Sequence, residues 1–363
     1  MTSITHEVDR ERLLSLFREL LLINSPSGQE DELAARLLQE LASAGAQVGR
    51  DEAGNVVARF SGEGEPLLLC AHMDTVEPTD GLVICEENGI WRSDGRTILG
   101  ADDKAGVAAV LEAVRAASKR PPLEVVFTVR EEVGLLGAKA LDCAKLQARR
   151  GIVLDGGGPI GTFVVAAPSQ YKLSATVRGR AAHAGVAPEE GVNAIVAAAR
   201  AIARMPLGRI DSETTANVGV IRGGTATNIV PELVELEGEA RSHSEEKLSA
   251  QVETMVSLFQ AEALAMGAQC EVELERSYTR FAIPHTSPLL QRMVEAAESL
   301  GFEPRLVRGG GGSDANIFNA AGIECVNMSI GMAASHAKNE YIAVEDLYQG
   351  TRLLTRILEV LAR

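Results

Sequence analysis

Three short apolar runs, each ending in side chains that bind metals or move protons, constrain this chain more than any other feature. Residues 66–71 (Pro-Leu-Leu-Leu-Cys-Ala) lead into His72-Met73-Asp74. Residues 123–129 lead into Arg130-Glu131-Glu132, and residues 151–154 into Asp155-Gly156-Gly157-Gly158. Apolar runs this short read as strands buried on both faces. Helical patterns lie between them. Residues 9–44 read as two amphipathic helices about a break at Asn24-Ser25-Pro26-Ser27-Gly28, where proline and glycine stop a helix. Residues 56–60 read as another strand, 105–118 as a buried alanine-rich helix stopped by Pro121-Pro122, and 137–149 as a helix rich in Leu and Ala. This alternation predicts an α/β sheet, and open α/β sheets place their sites at the C-terminal strand ends, where these polar residues fall.

The pattern then changes. Residues 171–178 alternate like a half-exposed strand, 191–205 form a helix, and 214–221 and 233–241 are strands. Residues 244–266 are a long helix and 269–277 a strand. The order βαββαβ suits a small ferredoxin-like sandwich. The α/β pattern resumes with a helix at 287–300, a buried strand at 325–329 and an amphipathic helix at 344–361. The expected organisation is therefore a discontinuous α/β domain, residues 1–171 and 284–363, with a central mixed sheet flanked by helices. Residues 172–283 form an inserted domain.

A chain of 363 residues with 46% hydrophobic content suits two domains. A formal net charge of −15 argues against nucleic acid, which needs a basic face, and against a polybasic membrane-surface role. No apolar run reaches the roughly 18–20 residues of a bilayer span. Residues 1–12 are polar and lack the apolar stretch of a signal peptide, so the cytoplasm is the expected location. The cysteines, Cys70, Cys85, Cys143, Cys270 and Cys325, are odd in number and show no CxxC spacing, and are expected to be reduced thiols.

His72, Asp74, Asp102, Asp103, Glu131, Glu132 and Asp155 would converge on one sheet edge, with His336 added from a late loop. Singly, each has an ordinary reading as a packed histidine, a solvated turn or a helix cap. Together, like charges a few ångströms apart would be forced to take up protons unless cations neutralise them. Imidazole and carboxylate without thiolate suit Zn²⁺, with Co²⁺ or Mn²⁺ as alternatives. His72 and Asp74 are two apart on a strand and share a face, so Asp74 is placed to orient His72. Asp103 is a candidate helix cap, and Asp314 either a cap or a substrate ligand. Residues 309–312, four glycines, lack the Lys-Ser/Thr of a phosphate loop and read as a turn, as does Gly223-Gly224-Thr225. Cys70 reads as a buried strand thiol. His6, His243 and His285 read as surface or structural residues.

Beyond this reading, the chain resembles a known family. His72-Met73-Asp74-Thr75, Gly100-Ala101-Asp102-Asp103-Lys104-Ala105-Gly106, Glu131-Glu132-Val133-Gly134 and Asp155-Gly156-Gly157 look like signature runs of the peptidase T-like branch of the two-zinc aminoacylase and carboxypeptidase superfamily. So do Gly179-Arg180-Ala181-Ala182-His183-Ala184-Gly185, Gly223-Gly224-Thr225-Ala226-Thr227-Asn228, Gly238-Glu239-Ala240-Arg241-Ser242, Gly311-Gly312-Ser313-Asp314-Ala315 and Ser335-His336-Ala337-Lys338-Asn339-Glu340. The runs occur in order over almost the whole chain.

The resemblance implies a zinc-peptidase-like catalytic domain with an inserted dimerisation and lid domain. It implies two Zn²⁺ bridged by Asp102, with His72 and Asp155 completing one site and Glu132 and His336 the other. Glu131 would be the general base, Asp74 would hold His72, and His183 would polarise the scissile carbonyl, often across a dimer interface. Asn228 and Arg241 match substrate-binding positions, and the guanidinium fork of Arg241 suits a substrate carboxylate. The implied reaction is hydrolysis of an amide bond in a small peptide, as by a tripeptide aminopeptidase. N-acyl amino acid deacylase and carboxypeptidase activities are alternatives on the same scaffold, and a non-catalytic binding protein is the alternative of another class. The alternating strands of the insert leave an edge that needs a partner, so a homodimer is expected.

Overall fold

In a computed structural model, residues 7–362 are described. His6 and the first part of the polar N-terminal segment lie outside them. The chain divides into two compact units. One comprises the chain up to Ala166, Ala282–Gly309 and the chain from Ser313 onward. The other comprises Ala167–Phe281 with Gly310–Gly312.

In the first unit the apolar runs become the strands Leu67–His72 and Leu123–Thr128, buried at every position. They pair in parallel, with His72 opposite Thr128. Arg150–Gly157 adds in parallel beside Leu67–His72, and Glu324–Ala333 in parallel beside that. Their C-terminal ends therefore share one edge. Val56–Phe60 and Tyr341–Ala343 join antiparallel, making the sheet mixed. The helix Ala101–Ala116 is buried almost throughout, which its small side chains allow. The closing helix Val344–Leu361 buries Leu347, Leu353, Leu354, Ile357 and Leu358. Among the described residues no helix is long and apolar enough to cross a membrane.

Two expectations change locally. The helix expected over 137–149 is only Leu136–Ala140, followed by a short 3₁₀ turn at Cys143–Lys145. Leu141 is extended, and Asp142 accepts the Ala144 N–H with its side chain. A short Asx side chain offering the backbone another partner breaks the helix. The hairpin Ile84–Glu87 with Ile90–Ser93, which pairs with Tyr341–Ala343, was not foreseen. Its strands are short and only partly buried, so they carry little pattern.

The second unit is the expected βαββαβ sandwich. Its long strands lie in the order Thr214–Gly223, Leu233–Ser242, Ser169–Arg178, Gln269–Tyr278, all antiparallel. Alternate strand residues, among them Leu173, Ala175, Val177 and Leu236, form a core with Ala198 of the helix Ala194–Arg204 and Met255 and Phe259 of the helix Glu245–Ala265. Asn193 and Ser244 cap these helices through their side chains.

Candidate metal centre

His72 ends its strand, buried, with both ring nitrogens engaged. Nδ1 lies 2.8 Å from the Asp74 carbonyl oxygen and 3.6 Å from its carboxylate, and Nε2 lies 3.2 Å from Asp102 Oδ1. Asp102 sits at the start of the helix Ala101–Ala116 but is not helical (φ −79°, ψ 106°). That turns its carboxylate toward the strand ends. Its other oxygen, Oδ2, lies 3.5 Å from His336 Nε2, which is 3.0 Å from Glu132 Oε2. His336 adopts a left-handed backbone (φ 64°), a conformation a non-glycine residue holds only where its surroundings fix it.

Asp74 does more than face His72. Its carboxylate accepts the N–H groups of Glu131 and Glu132 and the Ser27 hydroxyl at 2.6 Å. It thereby fixes the turn that presents both glutamates. Asp103 caps the following helix, accepting the Gly106 N–H at 3.1 Å, and its second oxygen accepts the His72 N–H at 3.3 Å. Gly106 is required there, because a Cβ would lie 2.3 Å from Asp103 Oδ1. Asp314 neither caps nor is exposed. Ser313 supplies the cap, with Asn316 completing the capping box. The Asp314 carboxylate turns inward to the Thr128 hydroxyl (2.5 Å) and the Cys70 thiol (3.6 Å). Burial, against that Thr128 bond, pushes it up to about 6.

The electrostatics are those of crowded carboxylates. Burial pushes Glu131 well above the usual carboxylate range, His72 pulls the other way, and Asp314, Glu132 and Asp102 add to the rise. Asp155 is raised by burial, then by Asp102 and Glu131. Burial would also raise Asp102, but hydrogen bonds with His336 and His72 outweigh it and hold Asp102 low. Bonds with Asp102 and Glu132 push His336 up to about 10. Burial disfavours charging His72, yet Asp102 and Asp74 hold it well above its ordinary value.

One nitrogen of His72 and one oxygen each of Asp102 and Glu132 lie within 4.8 Å of one another. Glu132 Oε1 is buried and has no hydrogen-bond partner among the described residues. An orphaned carboxylate oxygen in a cluster of imidazole and carboxylate donors fits a divalent cation.

His183, Asn228 and Arg241 are on the second unit. His183 pairs with Ile229 across the two-stranded ribbon Ala182–His183 and Ile229–Val230, and the Asn228 carbonyl accepts the Ala184 N–H at 2.9 Å, so His183 and Asn228 are neighbours. Arg241 is on a different strand. Its fork rests on Glu239, with Nε 2.9 Å from Oε1 and Nη2 2.8 Å from Oε2.

Sequence reasoning gave no role to Ser27, Lys104 or Glu340. Lys104 is buried, donates to the Ile23 carbonyl at 2.6 Å and is pushed down to about 7 by burial. Glu340 is fully buried, and its carboxylate accepts the N–H groups of Gly100 and Asp102. Lys104 and Glu340 fall inside runs that carry the family resemblance, which was the available signal. Ser27 had none beyond its place in a helix break.

Imidazole and carboxylate donors gathered on the C-terminal edge of parallel strands, beside a buried glutamate, define a metallohydrolase of the α/β class. Residues 68–360 match Peptidase family M20/M25/M40, and the chain belongs to that family. It is a metallopeptidase that hydrolyses peptide bonds. It is similar to the aminopeptidase PepT of Bacillus cereus ATCC 10987, with 42% identity, 98% of this chain and 100% of that chain covered, and a TM-score of 0.89. It is similar to a tripeptidase of Staphylococcus aureus Mu50, with 39% identity, coverage of 98% and 99%, and a TM-score of 0.94. An uncharacterized Bacillus subtilis protein, YqjE, is 41% identical over 370 residues, covering 98% of this chain and all of that protein.

Proposed function

We propose that the chain is an aminopeptidase acting on tripeptides, with two Zn²⁺ at the edge of the first unit. The observation that carries this reading is the gathering of His72, Asp102 and Glu132 donor atoms within 4.8 Å, with Glu131 buried one residue from Glu132. The B. cereus aminopeptidase and the S. aureus tripeptidase support the substrate class.

Asp102 would serve both cations, with His72 and Asp155 holding one and Glu132 and His336 the other. Two divalent cations, when bound, polarise a carbonyl and bring the pKa of water toward neutrality. Glu131, not needed as a ligand, takes the proton of the attacking water and hands it to the leaving amine. Asp74 holds the turn carrying Glu131 and Glu132. His183 polarises the scissile carbonyl, and Asn228 and Arg241 bind substrate, Arg241 through the substrate carboxylate.

The chain works as a cytoplasmic homodimer through the second unit. In support, Gln269–Tyr278 is an edge strand ten residues long, paired among the described residues only with Ser169–Arg178. The substrate test compares a free-amine tripeptide, the same peptide N-acetylated, a dipeptide and an N-acyl amino acid. The reading expects cleavage of the free-amine tripeptide in preference to the others. Preferential cleavage of the N-acyl compounds would move the function to deacylation.

A further inference from the structure

Glu340 lies four residues past His336, and its side chain reaches a different part of the chain. Oε2 accepts the Gly100 N–H at 2.7 Å and Oε1 accepts the Asp102 N–H at 2.9 Å. Both N–H groups belong to the start of a helix, where no intrahelical acceptor exists. The loop between His336 and Glu340 is itself tied down. The Glu340 N–H donates to the Ala337 carbonyl at 2.8 Å. One carboxylate therefore joins the segment that carries Asp102 to the loop that carries His336. The side chains of Asp102 and His336 meet at 3.5 Å. Two N–H donors aimed at one side chain require a carboxylate, since an amide of the same shape would turn an NH₂ group toward one of them.

We propose that Glu340 is the positioning residue for the metal centre: it sets cation affinity by holding the backbone of Asp102 and the loop of His336 in one register, without contacting a cation. The inference rests on the reading that Asp102 and His336 are ligands. Partners of this kind behind a metal ligand are typically worth about 10- to 100-fold in affinity or activity.

The test is competition for Zn²⁺ and for Co²⁺ between the full-length protein and a chromophoric chelator, with far-UV circular dichroism and thermal midpoints of the stripped proteins as the folding control. The variants are E340Q, E340D, D102A and E124Q. Glu124 is an independent clamp of the same kind, at the start of its strand: Oε2 accepts the N–H groups of Gln147 and Ala148 at 2.7 and 2.8 Å. The expected result is that D102A loses tight cation binding, E340Q binds about 10- to 100-fold more weakly than wild type, and E124Q keeps wild-type affinity. E340D, one methylene short, is expected to fall between wild type and E340Q, and decides the matter if E340Q does not fold. Wild-type affinity in E340Q or E340D, or an equal loss in E124Q, would overturn the role of Glu340. Wild-type affinity in D102A would instead overturn the ligand reading.

Discussion

The Asp74 carboxylate accepts the backbone N–H of Glu131 at 2.9 Å. Its other oxygen takes the Glu132 N–H at 3.2 Å and the Ser27 hydroxyl at 2.6 Å. Asp74 is thus a backbone anchor for Glu131 and Glu132 as well as a neighbour of His72. Asp74→Asn keeps the shape but sets an NH₂ group against an N–H donor. Metal affinity and kcat should both fall, by roughly 10- to 100-fold. Chelator competition and steady-state kinetics on the same preparation check it.

Glu131 and Glu132 are adjacent yet assigned different work. Glu131→Gln should keep metal and lose turnover, with kcat down by roughly 10²- to 10⁴-fold, the usual span for a positioned acid–base group. Metal analysis beside kinetics separates the two effects. Near-normal hydrolysis at full metal occupancy would remove Glu131 from the role of base.

Arg241 rests on Glu239 through two parallel bonds, a fork geometry that a peptide carboxylate can also satisfy. Arg241→Ala should lower kcat/KM for a free-acid tripeptide by roughly 10- to 100-fold, the worth of hydrogen bonds to a charged group. It should change the rate on the C-terminal amide far less. An equal loss on both substrates would mean that Arg241 does not read the carboxylate.

Glu112 tests stability away from the site. Its carboxylate is 0% exposed, inside the helix Ala101–Ala116, and is answered by Arg12 Nε at 2.7 Å and the Asp9 N–H at 2.9 Å. Arg12→Ala leaves that buried charge with the Asp9 N–H, and should cost about 2 kcal/mol. Urea unfolding measures the cost, and tripeptide turnover of the folded variant should not change.

The sequence was most readable where one pattern decides one property. Residues 66–71 are apolar without interruption because both strand faces are covered, and the change at residue 171 to alternation marks a sheet covered on one face. His72, Glu132 and Asp155 were visible because each sits just past such a run, whereas Asp102 and His336 stood out through the family resemblance. What stayed hidden depends on contacts between distant segments. Asp314 is 186 residues from Thr128, and Glu340 is 238 from Asp102. No local period signals such a pairing. The lost helix after Leu141 fails for the opposite reason, since a single aspartate redirected the backbone against a favourable composition.

The central claim is that peptide hydrolysis depends on divalent cations held by His72, Asp102, Glu132, Asp155 and His336. The most direct measurement is a Zn²⁺ titration of the chelator-stripped protein, followed by hydrolysis of a free-amine tripeptide, for wild type and Asp102→Ala. The account predicts no hydrolysis without metal, a rise to a plateau near two ions per chain in wild type, as a two-metal site requires, and no recovery in Asp102→Ala. Hydrolysis that persists in the stripped protein, or full recovery in Asp102→Ala, would contradict it.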